Sequence, residues 1–516
     1  MWARAVSKGV LSIATWTVMK IVVSAVATPI FARLLGVDGY GQYAYYLAVI
    51  LVASPFSNLG SSAMLTKYIS ERPLDDAWRN SVAALAGAMT TLGSVVVGVA
   101  IALFIYPNAL EDSGSWLLVP VVVGAAFFDQ GWYFSRGVLY GIHREELATL
   151  PATLGVILSA ILGVLFVFSG MGLMGALLGL MIANLTVATI TVRFATRHLH
   201  WPGLAGILRI IPISKMRKFG LLSMAFTALS MVLYRADIIF VRRLVGDSQA
   251  GLYAAAVQWS QFVWVLPIAV EGVMMQSTSR WWAEGKTSEI TAMVSRLLRY
   301  TMLVTAFVLI LVFEFADQIL LVYFGPKFAE ASLSLRILVP GVFSFSLARV
   351  IWPVIQARGS VVPLVAVVGS ACMLNLGLIL LLVPVWQAVG AATATSVAFG
   401  GVVFAYAWIL RKNGVQVFSL SLVGRLFILC TLTILVLMPV STFIPSALGS
   451  VGIGFVLACC VYSAGALALG LLSVSEIQKI VESLPGPLHS SGAWAYRKLQ
   501  PALSRIETGL TRKGRA

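Results

Sequence analysis

The chain has 516 residues, 59% of them hydrophobic and 11% charged, with a mean hydropathy of +0.93 and a formal net charge of +16. Soluble domains carry about a quarter charged residues, so this composition excludes a string of soluble domains and makes the membrane-embedded part the protein itself. Apolar runs of about 20 residues recur from end to end, each able to cross a hydrocarbon core roughly 30 Å thick.

In chain order the runs predict fourteen transmembrane helices, centred near Met19, Ile50, Ser94, Phe128, Leu158, Ile182, Met231, Gln261, Ala306, Val342, Met373, Val397, Leu432 and Phe455. They are long and continuous and lack a two-residue alternation, which argues for helices and against a β-barrel. The first follows Arg4 and Lys8 as a signal peptide would, but it is too long and runs straight into the motif that follows, so it is read as retained. Six spans fall in residues 1–193, and 194–218 form a basic linker with Pro202 and Pro212, expected along the headgroups. Residues 219–412 hold six more spans and 413–472 hold two. The basic tail, 473–516, carries an apolar stripe of Ile477, Ile480, Val481 and Leu484 and is expected at the interface.

Sorting the Lys and Arg residues by loop sets the orientation. With the amino terminus inside, 28 of the 36 fall in inner segments and four, Arg33, Arg242, Arg243 and Lys327, in outer loops. The bias holds along the whole chain, as the positive-inside rule requires, and places both termini in the cytoplasm of a multi-pass protein of the cell membrane. The net charge is thereby accounted for by topology and by anionic lipid headgroups. Nucleic acid is not expected as a partner, because the basic residues are spread over many loops.

No catalytic, metal or cofactor chemistry is expected. Cys372, Cys430, Cys459 and Cys460 lie in apolar spans without metal-ligand spacing. The pair His198 and His200 lacks the partners of a zinc site. The Gly170-x-Gly172-x-x-Gly175 run follows no strand and sits between two spans, so it reads as a helix-hairpin turn. A membrane glycosyltransferase, polymerase or ligase would need a sizeable outer domain or catalytic loop, whereas the predicted outer loops are about a dozen residues or fewer.

The chain repeats itself. "IFARLLGVDGYGQYA" from Ile30 returns as "IFVRRLVGDSQAGLYA" from Ile239, so that Gly36, Gly41, Tyr43 and Ala44 recur as Gly246, Gly251, Tyr253 and Ala254, 210 residues on. Gly175-Ala176 likewise recurs as Gly390-Ala391, displaced by 215. Six spans separate the copies, so the halves are parallel repeats with a substrate site expected between them. Gly36, Gly41, Gly246 and Gly251 are expected to supply the backbone angles of short reversals and to belong to an outer gate.

A charge inside a span is costly and marks a pathway by default. The candidates are Lys20, Asp129, Arg235, Asp237, Glu271 and Arg349. Ser12, Lys20, Ser24 and Thr28 share one face of the first span, and Ser223, Thr227, Ser230, Tyr234 and Asp237 one face of the seventh. These two polar faces are expected to meet across the pseudo-twofold axis. Arg235 could pair with Asp237 or reach the outer interface, and Asp129 and Glu271 could partner Lys20 and Arg349 or bind a proton or cation.

The stretch from Ala27 to Glu71, with "PIFARLLGVDGYGQYA" and then "NLGSSAMLTKYISE", resembles the opening of the polysaccharide transporter family, the O-antigen and lipid-linked oligosaccharide flippases of the multidrug, oligosaccharidyl-lipid and polysaccharide exporter superfamily. The six-plus-six layout is similar over roughly residues 1–412. The resemblance implies an all-α fold, two six-helix bundles in a V around a central cavity, with the last two helices outside that core. It implies a substrate of sugars on polyprenyl phosphate or pyrophosphate, moved to the outer leaflet for surface glycan assembly, with glycosyltransferases or a polymerase of the same pathway as partners. A drug-cation exporter of the same superfamily is the alternative.

Overall fold

The computed structural model describes residues 2–72, 74–114, 116–199, 213–359, 361–444, 446–472 and 476. The first half of the chain supplies α1 (Trp2–Asn58), α2 (Ser61–Glu71), α3 (Asp76–Ser113), α4 (Leu118–Gly141), α5 (Glu146–Phe166), a π-helical segment Val167–Met171 and α6 (Gly172–Thr196). The second half supplies α7 (Ile213–Val245), α8 (Asp247–Phe262), α9 (Val265–Ala283), α10 (Thr287–Glu314), α11 (Ala316–Tyr323), a 3-10 turn Pro326–Ala331, α12 (Ser332–Ala357) and α13 (Val362–Lys412). Then come α14 (Leu420–Leu437), α15 (Val440–Phe443) and α16 (Ala447–Ala468), and no strand occurs among the described residues.

Nine stretches among the described residues are long and apolar enough to cross a membrane, and three are too long for one crossing: Met19–Asn58 has 40 residues, Glu146–Thr196 and Val362–Lys412 have 51 each. All three fold back. In α1 the rings of Phe31 and Tyr43 stack 5.5 Å apart, whereas a continuous helix would separate them by about 18 Å. The reversal is at Gly36 (φ 73°, ψ −177°). Between α5 and α6 it falls at Gly170 and Gly172, and it brings Gly175 onto the backbone of Phe166. In α13 it falls at Gln387, bringing Gly390 onto the Leu382 carbonyl.

The internal repeat is written in these angles. Gly246 (φ 93°, ψ 179°) reproduces the extended positive-φ conformation of Gly36. Gly172 (φ 50°, ψ −132°) is matched by Gln387 (φ 50°, ψ −131°), at the displacement already seen in the sequence. Glycine adopts that conformation without strain and glutamine does not.

The predicted span near Gln261 is interrupted: α8 stops at Phe262 and α9 begins at Val265, with Pro267 in its first turn, where the missing N–H costs nothing. Helices α6 and α7 both run into the expected linker, reaching Thr196 and starting at Ile213. Its middle, with His200, Pro202 and Pro212, lies outside the described residues, as do Ile477, Ile480, Val481 and Leu484 of the tail.

Packing is uneven between the halves. The second half has one continuous core, which also takes in Ala32, Tyr40, Ala44 and Ala48 of α1. The first half is divided into three smaller clusters. Helices α14 and α16 dock on the second half: Tyr462 donates to the Leu303 carbonyl at 2.8 Å, and Gly454 lies so close to the Phe315 ring that a Cβ would sit 2.1 Å from it. Large apolar side chains such as Leu381, Phe404 and Phe427 remain on the outside, the arrangement expected where the solvent is hydrocarbon.

Candidate functional site

The two halves are joined most tightly on the face that carries Gly36 and Gly246. Gly41 and Gly251, expected to serve reversals, are helical instead. A Cβ on Gly41 would sit 2.1 Å from the Asp247 carbonyl, and one on Gly251 2.1 Å from the Val37 carbonyl. Their function is close approach of two backbones across the pseudo-twofold axis, and only Gly36 and Gly246 supply the positive φ.

Beside this contact lies a charge network that spans both halves. Arg242 of α7 donates to both oxygens of Asp112 on α3, at 2.5 and 2.6 Å, and to Asp247 of α8. Tyr46 donates to Asp112 at 2.5 Å and Gln42 to Asp247 at 2.9 Å, both from α1. The Arg242 guanidinium lies 4.2 Å from the ring centre of Tyr45. Both Arg242 and Asp112 have side chains only 5% exposed. In the sequence Arg242 is an ordinary outer-loop charge, with no sign of the carboxylate 130 positions away that it pairs with.

Three more bonds cross nearby. Arg33 donates to the Val322 carbonyl, Arg243 to Tyr45 at 3.1 Å, and Tyr323 to the Ala25 carbonyl at 2.5 Å. The last has a local cause: Pro29 lacks the N–H that would take the carbonyl four residues back, leaving Ala25 free to accept from the other half. On the opposite face the halves meet again where Gly60 (φ 74°) backs onto Gly220; a Cβ on Gly60 would sit 2.0 Å from the Gly220 carbonyl.

Between these two contacts lie two cavities that share Leu51. The larger, about 490 Å³, is lined by Lys20, Ser24, Thr28, Asp129, Trp132 and Asn184 of the first half and by Arg235 and Gln258 of the second. The other, about 400 Å³, is lined by Ser62, Thr66, Lys67, Tyr133 and Arg136 of the first half and by Ser223 and Thr227 of the second. Trp132 ties the cations together: Lys20 and Arg136 stand 5.5 and 5.4 Å from its ring centre. Lys67 stands 4.3 Å from the ring centre of Phe219, which belongs to the second half. Arg136 and Lys67 count among the 28 inner-segment cations of the sequence, where nothing sets them apart as site residues. Their places inside α4 and α2 show a spacing signal only in hindsight: Trp132, Arg136 and Tyr140 recur every four residues, and Arg136 lies 5.3 Å from the Tyr140 ring centre.

The remaining candidates lie apart. Arg349 pairs with Glu271 at 2.9 Å, beside Ser230 and Tyr234, in a third pocket of about 170 Å³ walled by Phe226, Phe345 and Trp352, which shares only Thr227 with the space between the halves. Arg235 donates to Gln261 at 2.9 Å and not to Asp237. Asp237 is buried and accepts from Tyr253 at 2.6 Å and from the N–H of Ile238 at 2.8 Å, with Thr395 at 3.4 Å. The polar face expected along the seventh span is therefore divided: Ser223 faces the space between the halves, Thr227 lines both that space and the second-half pocket, Ser230 and Tyr234 face the second-half pocket, and Asp237 faces the core. Lys20, Ser24 and Thr28 share one cavity, while the side chain of Ser12 lies outside those described.

Among the described residues the cations Lys20, Lys67, Arg136 and Arg235 form no ion pair, and they lie between two repeated helical halves that touch on either side of them; the same fold recurs in solved structures. A lipid II flippase MurJ in an inward closed conformation superposes with a TM-score of 0.71 at 14% identity, over 88% of this chain and 97% of that one. An inward-facing multidrug resistance transporter of the MATE family, of the MOP superfamily, gives 0.61 at 15% identity over 76% and 95%. A MATE transporter of Vibrio cholerae gives 0.57 at 16% identity over 80% and 97%. The fold is thus the one these solved structures share. Comparison with curated proteins gave no sequence match. The family model described as polysaccharide biosynthesis protein matches residues 6–269, over half of the chain, and the protein belongs to that family.

Proposed function

We propose that the protein is a flippase that carries a sugar or oligosaccharide linked to polyprenyl phosphate or pyrophosphate from the cytoplasmic to the outer leaflet, for assembly of a cell-surface glycan. The observation that carries this reading is the cation set Lys20, Lys67, Arg136 and Arg235 around the space between the halves, against the single carboxylate of Asp129, in a chain of the polysaccharide biosynthesis family. A phosphate crossing hydrocarbon unaided loses its hydration at a cost of many kcal/mol. Lysine and arginine on aromatic rings offer replacement partners, and Ser24, Thr28, Ser62 and Thr66 offer hydroxyls to sugars. Lys20 is the first phosphate ligand in this scheme, and the Arg349–Glu271 pair is a neutral, separate element of the second half.

The halves, 1–193 and 219–412, are the two bodies that rock, and the Arg242 network with the Gly41–Gly251 contact is the closed outer gate. Both termini are cytoplasmic, as the charge count supports, and glycosyltransferases of the same pathway supply the substrate. An inside-negative potential favours outward passage of each negative charge by about 2.3 kcal/mol per 100 mV. Export of a drug cation, which the fold would also accommodate, calls for an acidic cavity and has only Asp129 in its favour.

The test is transport in vesicles loaded with a lipid-linked oligosaccharide, read by an external glycosidase. Lys20→Ala should slow flipping by roughly tenfold to a hundredfold, the worth of a charge-assisted hydrogen bond, with normal membrane insertion, and Lys20→Arg should keep part of the rate. Normal rates in Lys20→Ala, Arg136→Ala and Arg235→Ala alike would refute the cationic-cavity mechanism.

A further inference from the structure

Outside the space between the halves, a further basic cavity of about 380 Å³ opens where α10, α14 and the end of α16 come together, lined by Ser295, Arg296, Arg299, Ser419, Ser421 and Arg425. These ends lie on the face that the charge count places in the cytoplasm. We propose that this cavity binds a phosphate group, held by Arg296, Arg299 and Arg425.

Three features converge on an anion. First, one of the lining arginines already holds an anion: Glu476, beyond α16 in the chain, accepts from Arg299 and, at 2.9 Å, from the hydroxyl of Tyr300. A carboxylate bound to a guanidinium and a phenol occupies the kind of place a phosphate oxygen takes. Second, the charge is not balanced. Among the described residues no carboxylate pairs with Arg296 or Arg425, both exposed; Arg425 reaches only the Leu469 carbonyl, at 3.3 Å, and the buried Nε of Arg299 has no hydrogen-bond partner. Third, α14 begins here. Ser419 caps it by accepting from the N–H of Leu422 at 3.2 Å, so the positive end of an 18-residue helix and the hydroxyls of Ser419 and Ser421 face the same space.

The phosphate could be free or could belong to a phospholipid headgroup. Leu420 and Phe427, 90% and 71% exposed on α14, run from the cavity toward the membrane interior and offer a path for acyl chains, which favours the lipid. The inference does not depend on what the central cavity carries.

The test uses the full-length protein in phosphatidylcholine nanodiscs, titrated with a fluorescent phosphatidylglycerol and, separately, with inorganic phosphate read as a shift in melting temperature. The double substitution Arg296→Gln with Arg425→Gln should weaken phosphatidylglycerol binding by roughly thirtyfold, the worth of two basic residues near an anionic headgroup, without changing the melting temperature in phosphatidylcholine alone. Glu476→Gln should act oppositely and tighten binding, because it removes the competing carboxylate. Arginine-dependent binding of phosphatidylglycerol alone assigns the site to a headgroup; arginine-dependent binding of inorganic phosphate assigns it to the free ion. Binding of both probes unchanged by the substitutions overturns the proposal, and should the double variant fail to fold, an unchanged or weaker affinity in Glu476→Gln overturns it alone.

Discussion

Arg242→Ala should open the proposed outer gate. The substitution removes the one cation that three of these groups share: Asp112 would lose two hydrogen bonds of 2.5 and 2.6 Å, Asp247 one, and the Tyr45 face its nearer cation, leaving Arg243 at 5.9 Å. With Arg242 and Asp112 both 5% exposed, the carboxylate left behind stays out of water as long as the gate is shut. Removing one partner of a buried pair costs about 3–5 kcal/mol. In an outer-open state the same carboxylate is hydrated, so nearly all of that cost falls on the closed state, and the closed-to-open ratio should drop by roughly two to four powers of ten. The reporter is a cysteine replacing Ala27, which lines the larger cavity, in a background where Cys372, Cys430, Cys459 and Cys460 are serine. A membrane-impermeant thiol reagent added outside should label Ala27→Cys far faster when Arg242→Ala is present. Asp112→Asn, which keeps the shape and one acceptor, should give a smaller increase in the same direction. Unchanged labelling in Arg242→Ala protein that is monodisperse and normally inserted would refute the reasoning that this network holds the face shut.

Gly41→Ala should force the same face apart by sterics, since its Cβ would meet the Asp247 carbonyl at 2.1 Å; labelling of Ala27→Cys from outside should rise although no charge has changed. Gln387→Gly should raise the melting temperature by roughly 1–2 °C, because it relieves a positive φ at an exposed turn without losing contacts; a lower melting temperature would show that the turn is unstrained. Glu271→Gln should destabilise more than Arg349→Gln with Glu271→Gln together, because the single change leaves Arg349 unpaired in an aromatic pocket; additive losses in thermal melts would contradict the pairing. Reporter fusions at His200 and Ala516 should both read cytoplasmic, and opposite readings would overturn the orientation.

The membrane class, the helical fold and the internal repeat were legible in the chain itself, because hydrocarbon imposes one rule on every span: long apolar runs with satisfied backbones. The repeat was equally plain, since a reversal that needs positive φ leaves a glycine at the same offset, as at Gly36 and Gly246. It was less plain where the second copy carries the strain instead, as Gln387 does opposite Gly172. Lys20, Ser24 and Asp129, which share one cavity, could each be picked as a candidate because a charge or a polar face in an apolar run stands out locally. What the tertiary structure decided was partnership. Arg242 and Asp112, Arg349 and Glu271, or Arg299 and Glu476 are separated by 130, 78 and 177 positions, and nothing local distinguishes a charge bound for water from one that will be buried against another helix. The same holds for Gly41 and Gly251, whose lack of a side chain matters only because another backbone arrives within contact distance. For Lys67 and Arg136, the loop-by-loop charge count that orients the protein is what hid them, since a cation at the inner end of a helix satisfies the topology rule whether it faces lipid headgroups or the space between the halves.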